Sequence, residues 1–289
     1  MEVLAPNVLG RKILPWSELK ILPIGDIQYT GRNGASDIDR LEKHIKWGIA
    51  QDAIFVGMGD FSDFLSPSNK LRLRQAGLYD TAEEVIDQAA ITIEKELMEV
   101  LRPTIGRWLG FIEGHHSYTS LDGTTTGQRF SRFLQCPYLG DSAILRITFR
   151  DEQNHGVNLK MFVHHGHGGG STYGGILNRL ERFAARFPDI QLIMTGHHHQ
   201  VIVQPMDSLD VTDRGEPYLF HKTRMLVCTG SFMKGWMQGH NIGGRPQGLY
   251  PEQKMMPPTA LGAPLIIAHP KRIQSHGADL SIIDLRGSV

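Results

Sequence analysis

Apolar runs of strand length recur along the chain, and each ends on polar residues: LKILPIGD (19–26), AIFVGMGD (53–60), WLGFIEGHH (108–116), LKMFVHHG (159–166) and IQLIMTGHHH (190–199). Continuous apolarity over so few residues predicts strands buried on both faces. Between them, apolar positions spaced by three and four predict helices. Ile38, Leu41, Ile45 and Ile49 follow a cap at Ser36; Val85, Ile86, Ala89, Ile93, Leu97 and Val100 follow Thr81, with Glu84 closing a capping box; Ile176, Leu180, Phe183 and Phe187 run up to Pro188. Alternating strand and helix predicts an α/β fold with a largely parallel sheet, which takes its ligands beyond the C-terminal ends of its strands. After residue 200 the pattern changes to short β-like runs, YLFHKTRMLVCTGSF (218–232) and ADLSIIDL (278–285), separated by the Pro/Gly-rich segment 241–264. These predict a second sheet or its edge. No repeat or flexible linker intervenes, so residues 1–289 read as a single domain, with the polar stations in 19–200 and second-sheet strands and C-terminal elements in 201–289.

The strand ends carry, in chain order, Asp26; Asp60 and Asp63; His115 and His116; His164 and His165; His197 and His199. With His167 and His198, eight of the 14 histidines fall at three strand ends, a concentration that a solvated loop does not explain. Carboxylates with neutral imidazoles and no thiolates suit Mn, Fe, Zn or Ni. Two metals sharing a carboxylate clamp a phosphate and generate a hydroxide nucleophile, so the pattern points to phosphoester hydrolysis. Adjacent strand residues face opposite ways, so His164 and His165 cannot both aim at one metal. His165 is the expected ligand and His164 a residue behind it, while His167 and His198 are expected as neighbours of the site. Gly168 to Gly170 lack the Lys-Ser/Thr ending of a nucleotide-binding loop and are expected to let the backbone pass close to the metals.

Charge and composition narrow the picture. Lys plus Arg and Asp plus Glu are both 30, so no global positive field draws the chain to nucleic acid. No apolar run approaches the roughly 20 residues of a membrane span, and the start lacks a cationic segment followed by a long apolar one, which makes the cytoplasm the expected location. Cys136 and Cys228 are too few for a disulfide framework and suit a reducing compartment. Arg179, Arg182 and Arg186 share one helix face, read as solvated rather than phosphate-binding. Trp47, Trp108 and Phe111 are expected in the core, and Trp236 and Tyr250 near a pocket rim, where they could stack on a base.

Taken in order, GDIQ (25–28), GDFSD (59–63), GHH (114–116), HHG (164–166) and GHHH (196–199) resemble the D-x-H, G-D-x-x-D, G-N-H, H-G and G-H-x-H stations of the calcineurin-like metallophosphoesterase superfamily, over about residues 19–200. HHGHGGGSTYGGILNRLERF and YPEQKMMPPTALGAP look like its phage and prophage-type branch, near DNA-repair exonucleases. The resemblance implies a four-layer α-β-β-α sandwich of two mixed sheets with a dimetal site at one sheet edge. It implies Asp60 bridging both metals, Asp26 and His199 on metal one, and His165 and His197 on metal two. His116 would protonate the leaving oxygen, with Asp63 fixing its tautomer. Two positions depart from the pattern: Gln28 replaces a histidine and His115 an asparagine. A glutamine oxygen ligates a hard cation more weakly than imidazole does, so metal one is expected to be the weaker, while His115 adds an imidazole to metal two. The expected function is that of a metal-dependent phosphodiesterase or nuclease using a dimetal-bridging hydroxide. Its cofactors would be two divalent ions, Mn foremost with Fe, Zn or Ni as alternatives. A phosphoester, DNA included, is the expected partner; no membrane contact is expected, and the oligomeric state stays open, a homodimer included. The alternatives are a small-nucleotide phosphatase or phosphodiesterase and, through Gln28 and His115, a relative that binds metal and nucleic acid without turnover.

Overall fold

The computed structural model describes residues 8–31, 34–64, 72–73, 75, 77, 79–168, 172–212, 217–275 and 278–289. Two mixed sheets dominate it. One has the strand order β13 (Ala278–Ser288), β12 (Leu265–Ser275), β2 (Leu19–Ile24), β3 (Ile54–Gly57), β4 (Trp108–Phe111). The other runs β1 (Val8–Pro15), β5 (Ser142–Arg150), β6 (Gly156–His164), β7 (Leu192–Thr195), β9 (Leu219–Thr229), β8 (Val201–Val211). A small ribbon joins β10 (Asn241–Ile242) to β11 (Arg245–Pro246).

The largely parallel sheet expected from the alternation of elements is therefore corrected. Parallel pairing is confined to β2-β3-β4, which runs from the middle of its sheet to the β4 edge, to the central β6-β7-β9, and to the β1-β5 edge. Antiparallel β12, β13, β5 and β8 complete the sheets. Of the late β-like runs, 218–232 supplies the inner strand β9 and 278–285 the edge strand β13.

Alternate residues of the central strands enter different cores, as a repeat of two requires. Ile21, Val56, Met161, Val163, Leu192, Met194, Met225 and Val227 meet between the sheets. Their neighbours Leu22, Ile24 and Phe55 turn outward onto α1 (Ile38–Ala50), α2 (Asp80–Leu101) and α3 (Thr126–Leu134), through Leu41, Ile45, Leu97, Phe130 and Leu134. Phe162, Ile193 and Leu226 turn the other way, onto Ile176, Leu180 and Ala184 of α4 (Tyr173–Ala184). The layers thus run helix, sheet, sheet, helix, the four-layer sandwich that the resemblance implied. Among the described residues no helix is long and apolar enough to cross a membrane.

Helix starts differ from expectation. The cap of α1 is Asp37, whose side chain accepts from Arg40 N, because Ser36 instead donates its hydroxyl to the Gln28 carbonyl. Helix α2 begins at Asp80 after Tyr79, which makes no side-chain capping bond, so the Thr81–Glu84 capping box does not form. The box found is Thr125–Gln128, at the start of α3. Trp108 (4% exposed) and Phe111 (1%) are core as expected, but Trp47 is 40% exposed and packs against His44 on the surface of α1.

A buried ion pair fastens the segment between β4 and α3. Glu94 on α2, 2% exposed, receives Arg129 Nε at 2.5 Å and Nη2 at 2.7 Å, while Arg129 also donates to the carbonyls of Tyr118 (3.0 Å) and Thr124 (2.6 Å). Removing one partner leaves the other charge buried and uncompensated. Glu94→Ala should therefore lower unfolding free energy by about 3 kcal/mol in a urea titration. Glu99→Ala, which breaks the surface pair with Arg102, should leave the midpoint in place.

Candidate metal centre

The site forms where the loops after β2, β3, β4, β6 and β7 converge. Asp26 (0% exposed) and Asp60 (5%) end their strands side by side, cross-linked by Asp26 N to Gly59 O at 3.1 Å and Gln28 N to Asp60 O at 3.0 Å. Asp26, Gln28, Asp60, His197 and His199 all hold left-handed φ, at 49°, 54°, 53°, 70° and 55°. Such conformations cost non-glycine residues about 1–3 kcal/mol each and persist where surrounding structure over-determines them, typically at functional sites. Close approach also dictates two glycines: a Cβ at Gly114 would collide with Asp60 Oδ1, and one at Gly196 with Asp26 Oδ2.

Backbone and imidazole groups hold both carboxylates, and the contacts of His197 with Asp26 and of His165 with Asp60 cross from one sheet to the other. His197 N donates to Asp26 Oδ2 (2.8 Å) and His116 N to Asp60 Oδ1 (2.8 Å). His165 Nδ1 lies 2.7 Å from Met58 O, which accepts its proton and leaves Nε2 directed inward, 3.0 Å from Asp60 Oδ2 and 4.0 Å from Asp26 Oδ1. His199 Nε2 lies 3.4 Å from Asp26 Oδ1. His115 Nδ1 lies 3.2 Å from His197 Nδ1, with its ring 4.8 Å from that of His165. His116 Nδ1 lies 2.9 Å from Asp63 Oδ1, and its Nε2 4.0 Å from Asp60 Oδ2.

All nine sequence-predicted site residues therefore come together. Two sets have ligand atoms mutually within 4.8 Å, His115-His165-His197 and Asp26-Asp60-His165. His115 is exposed, His197 half-buried and His165 buried, so the cluster opens to solvent on the His115 side. Gln28 adds a feature that the sequence did not announce: its Nε2 donates to Asp60 Oδ2 at 3.1 Å, so the amide nitrogen, not the oxygen, faces the Asp60 carboxylate. His164 turns away, accepting from Gly166 N and stacking on Phe162. His167 stands 5.8 Å from His115, and His198 beside His197. Gly169 and Gly170 lie outside the described residues. Arg179 does not project from a solvated face alone: its guanidinium bonds the carbonyls of His167 and Gly168, while Arg182 and Arg186 are exposed. Trp236 and Tyr250 are exposed by 50% and 59%. Sequence reasoning missed Glu113, whose carboxylate takes Thr125 Oγ1 (2.5 Å), Tyr138 OH (2.9 Å) and Gly127 N (3.0 Å), pinning the His115–His116 loop to the start of α3. Only its place one residue before GHH hinted at it.

Electrostatics sorts the imidazoles. Burial pushes the Asp26 carboxyl above its usual range against the pull of His199 and His165. Burial pushes Asp60 up too, yet His165 and His116 outweigh it and hold Asp60 below the ordinary range. Burial would lower His165, but the adjoining Asp60 raises it to about 9. Burial and the neighbours His165 and His115 drop His197 to about 3, and burial with His165 lowers His115. With no cation present, His165 thus carries the compensating proton while His115 and His197 stay neutral. Asp26 Oδ1 and Gln28 Oε1 are buried without hydrogen-bond partners. Such orphaned atoms, all able to ligate, fit a divalent ion.

No family model matches the chain, and no curated protein matches it. Among solved structures, it is similar to the calcineurin-like phosphoesterase YfkN of Bacillus subtilis, at 12% identity over 95% of this chain and 90% of that one, with a TM-score of 0.42. It is also similar to vacuolar protein sorting 29 of Cryptosporidium parvum, at 12% identity over 94% of this chain and 100% of that one, with a TM-score of 0.36. At such values the functional reading rests on the chain's own residues.

Cation binding must displace the His165 proton, because only neutral imidazole ligates. Below about pH 9, Mn²⁺ affinity at the His165 site should therefore fall about tenfold for each unit the pH is lowered, with about one proton released by the ion that His165 ligates. Calorimetry in buffers of different ionisation enthalpy measures both. Affinity that does not change with pH across this range would contradict the assignment of the proton to His165.

Proposed function

We propose that the chain is a metal-dependent phosphoesterase of the calcineurin-like superfamily, acting as a phosphodiesterase or nuclease. The observation that carries this reading is the buried pair Asp26 and Asp60, with inward-facing orphan atoms and the His116–Asp63 pair alongside. Asp26, Gln28, Asp60 and His199 would hold one cation, and Asp60, His115, His165 and His197 the other. Divalent ions held there neutralise phosphoryl oxygens and make water a competent nucleophile near neutral pH. The protein's own part is positional and acid-base. Met58 O fixes the His165 tautomer, and backbone donors from both sheets hold the two carboxylates still. His116, kept in place by Asp63 and by its own N–H on Asp60, delivers a proton to the departing oxygen.

One observation favours a second reading, a protein that binds metal and nucleic acid without turnover. The Gln28 amide nitrogen already donates to Asp60 Oδ2, satisfying part of the carboxylate that the first reading gives to a cation.

A hydrolysis screen separates the two. At saturating Mn²⁺, the wild type should cleave an aryl phosphodiester well above the Asp26→Asn, Asp60→Asn double variant; single- and double-stranded DNA and an aryl monoester define the substrate class. DNA binding with no excess hydrolysis would favour the second reading. His116→Ala should keep its metal yet lose about 10²- to 10⁴-fold in rate on poor leaving groups, and less where the leaving group needs no proton. Equal losses on both would remove His116 from the acid role.

A further inference from the structure

A second cavity adjoins the cluster. It measures about 160 Å³ and lies between His198, His199 and Gln200 on one side and Met233, Pro251, Met256 and Thr259 on the other. His199 is the shared wall, since its Nε2 faces Asp26 across 3.4 Å. The far wall is held by Trp236, whose Nε1 donates to Met256 O at 3.1 Å while the indole stays half exposed. Thioethers and proline rings offer flat apolar contact, and methionine sulfur packs favourably against aromatic rings. His198, Gln200 and Thr259 add polar atoms able to meet ring heteroatoms. Pockets for whole drug-sized ligands span roughly 300–1,000 Å³, so this one accepts a single ring system and excludes a base pair.

We propose that this cavity is a recognition subsite for one unstacked nucleobase, esterified through its sugar to the phosphate bound at the histidine-aspartate cluster. The proposal rests on the phosphoesterase reading and gives it a substrate class: nucleotide esters and frayed or single-stranded ends, in preference to intact duplex.

The test is calorimetric titration of the Mn²⁺-loaded protein with inorganic phosphate and with the nonhydrolysable 5′-methylenephosphonates of ribose and of adenosine. The adenosine compound should bind at least about tenfold more tightly than the ribose compound. That preference should fall to near one in Gly235→Leu, which fills the cavity from a residue lining it, while phosphate affinity stays unchanged. Thr259→Phe fills it from another lining position and decides the matter if the first variant does not fold. Equal wild-type binding of the two phosphonates, with phosphate still bound, would overturn the subsite and leave the phosphoesterase reading standing. So would a preference that persists in the filled variants. Failure of all three ligands, phosphate included, would overturn the phosphoesterase reading and the subsite with it.

Discussion

Two carboxylates buried at adjacent strand ends, Asp26 and Asp60, set the terms for the rest of the molecule. An ionised carboxylate removed from water requires compensation, either by hydrogen-bond donors or by positive charge. The fold supplies donors from opposite sheets, His197 N to Asp26 and His116 N to Asp60, and a charged imidazole at His165. The contacts from His197 and His165 tie the loops of one sheet to those of the other, while His116 N joins neighbouring loops of the same sheet. The centre is therefore a seam in the sandwich as well as a place for ions, and its polar bonds lie directly above the apolar layer of Ile21, Val56, Met161 and Met194.

The cost of that arrangement is visible in the backbone. Left-handed φ at Asp26, Gln28, Asp60, His197 and His199 turns five side chains toward one small volume, against local preference. Packing on both faces of β2, β3, β6 and β7 keeps the strand ends from relaxing. Rigid strands with strained ends give a prearranged set of ligand atoms, and ordering such a set beforehand is what lets a site stabilise developing charge without reorganising.

Much of this was legible in the chain. Five buried strands ending on polar residues gave the sheet centres and placed every chemistry-bearing side chain, because those strands are apolar on both faces. Two of the strands that escaped notice, β5 and β8, are half polar. In β5, Arg146 is exposed between Leu145 and Ile147, and in β8 most positions past Ile202 are partly or fully exposed, so neither forms a continuous apolar run. At the site, strand alternation set His164 and His165 on opposite faces and the resemblance to the His-Gly station singled out His165; the structure puts His165 beside Asp60 and His164 against Phe162. The orientation of the Gln28 amide could not be read, since it depends on where Asp60 stands 32 residues away. The anchoring by Glu113 and Arg179 likewise depends on tertiary contacts to helix α3 and to the His167 loop.

We infer that the buried carboxylates and the imidazoles around them would form two unequal cation sites, three histidines with Asp60 making the stronger. Gln28, which spends its amide nitrogen on Asp60, would weaken the other. Anomalous diffraction from crystals grown at substoichiometric Mn²⁺ tests this most directly. The account predicts a single peak among His115, His165, His197 and Asp60. A first ion on the Asp26 and His199 side, or His115 turned away from the metal, would contradict it.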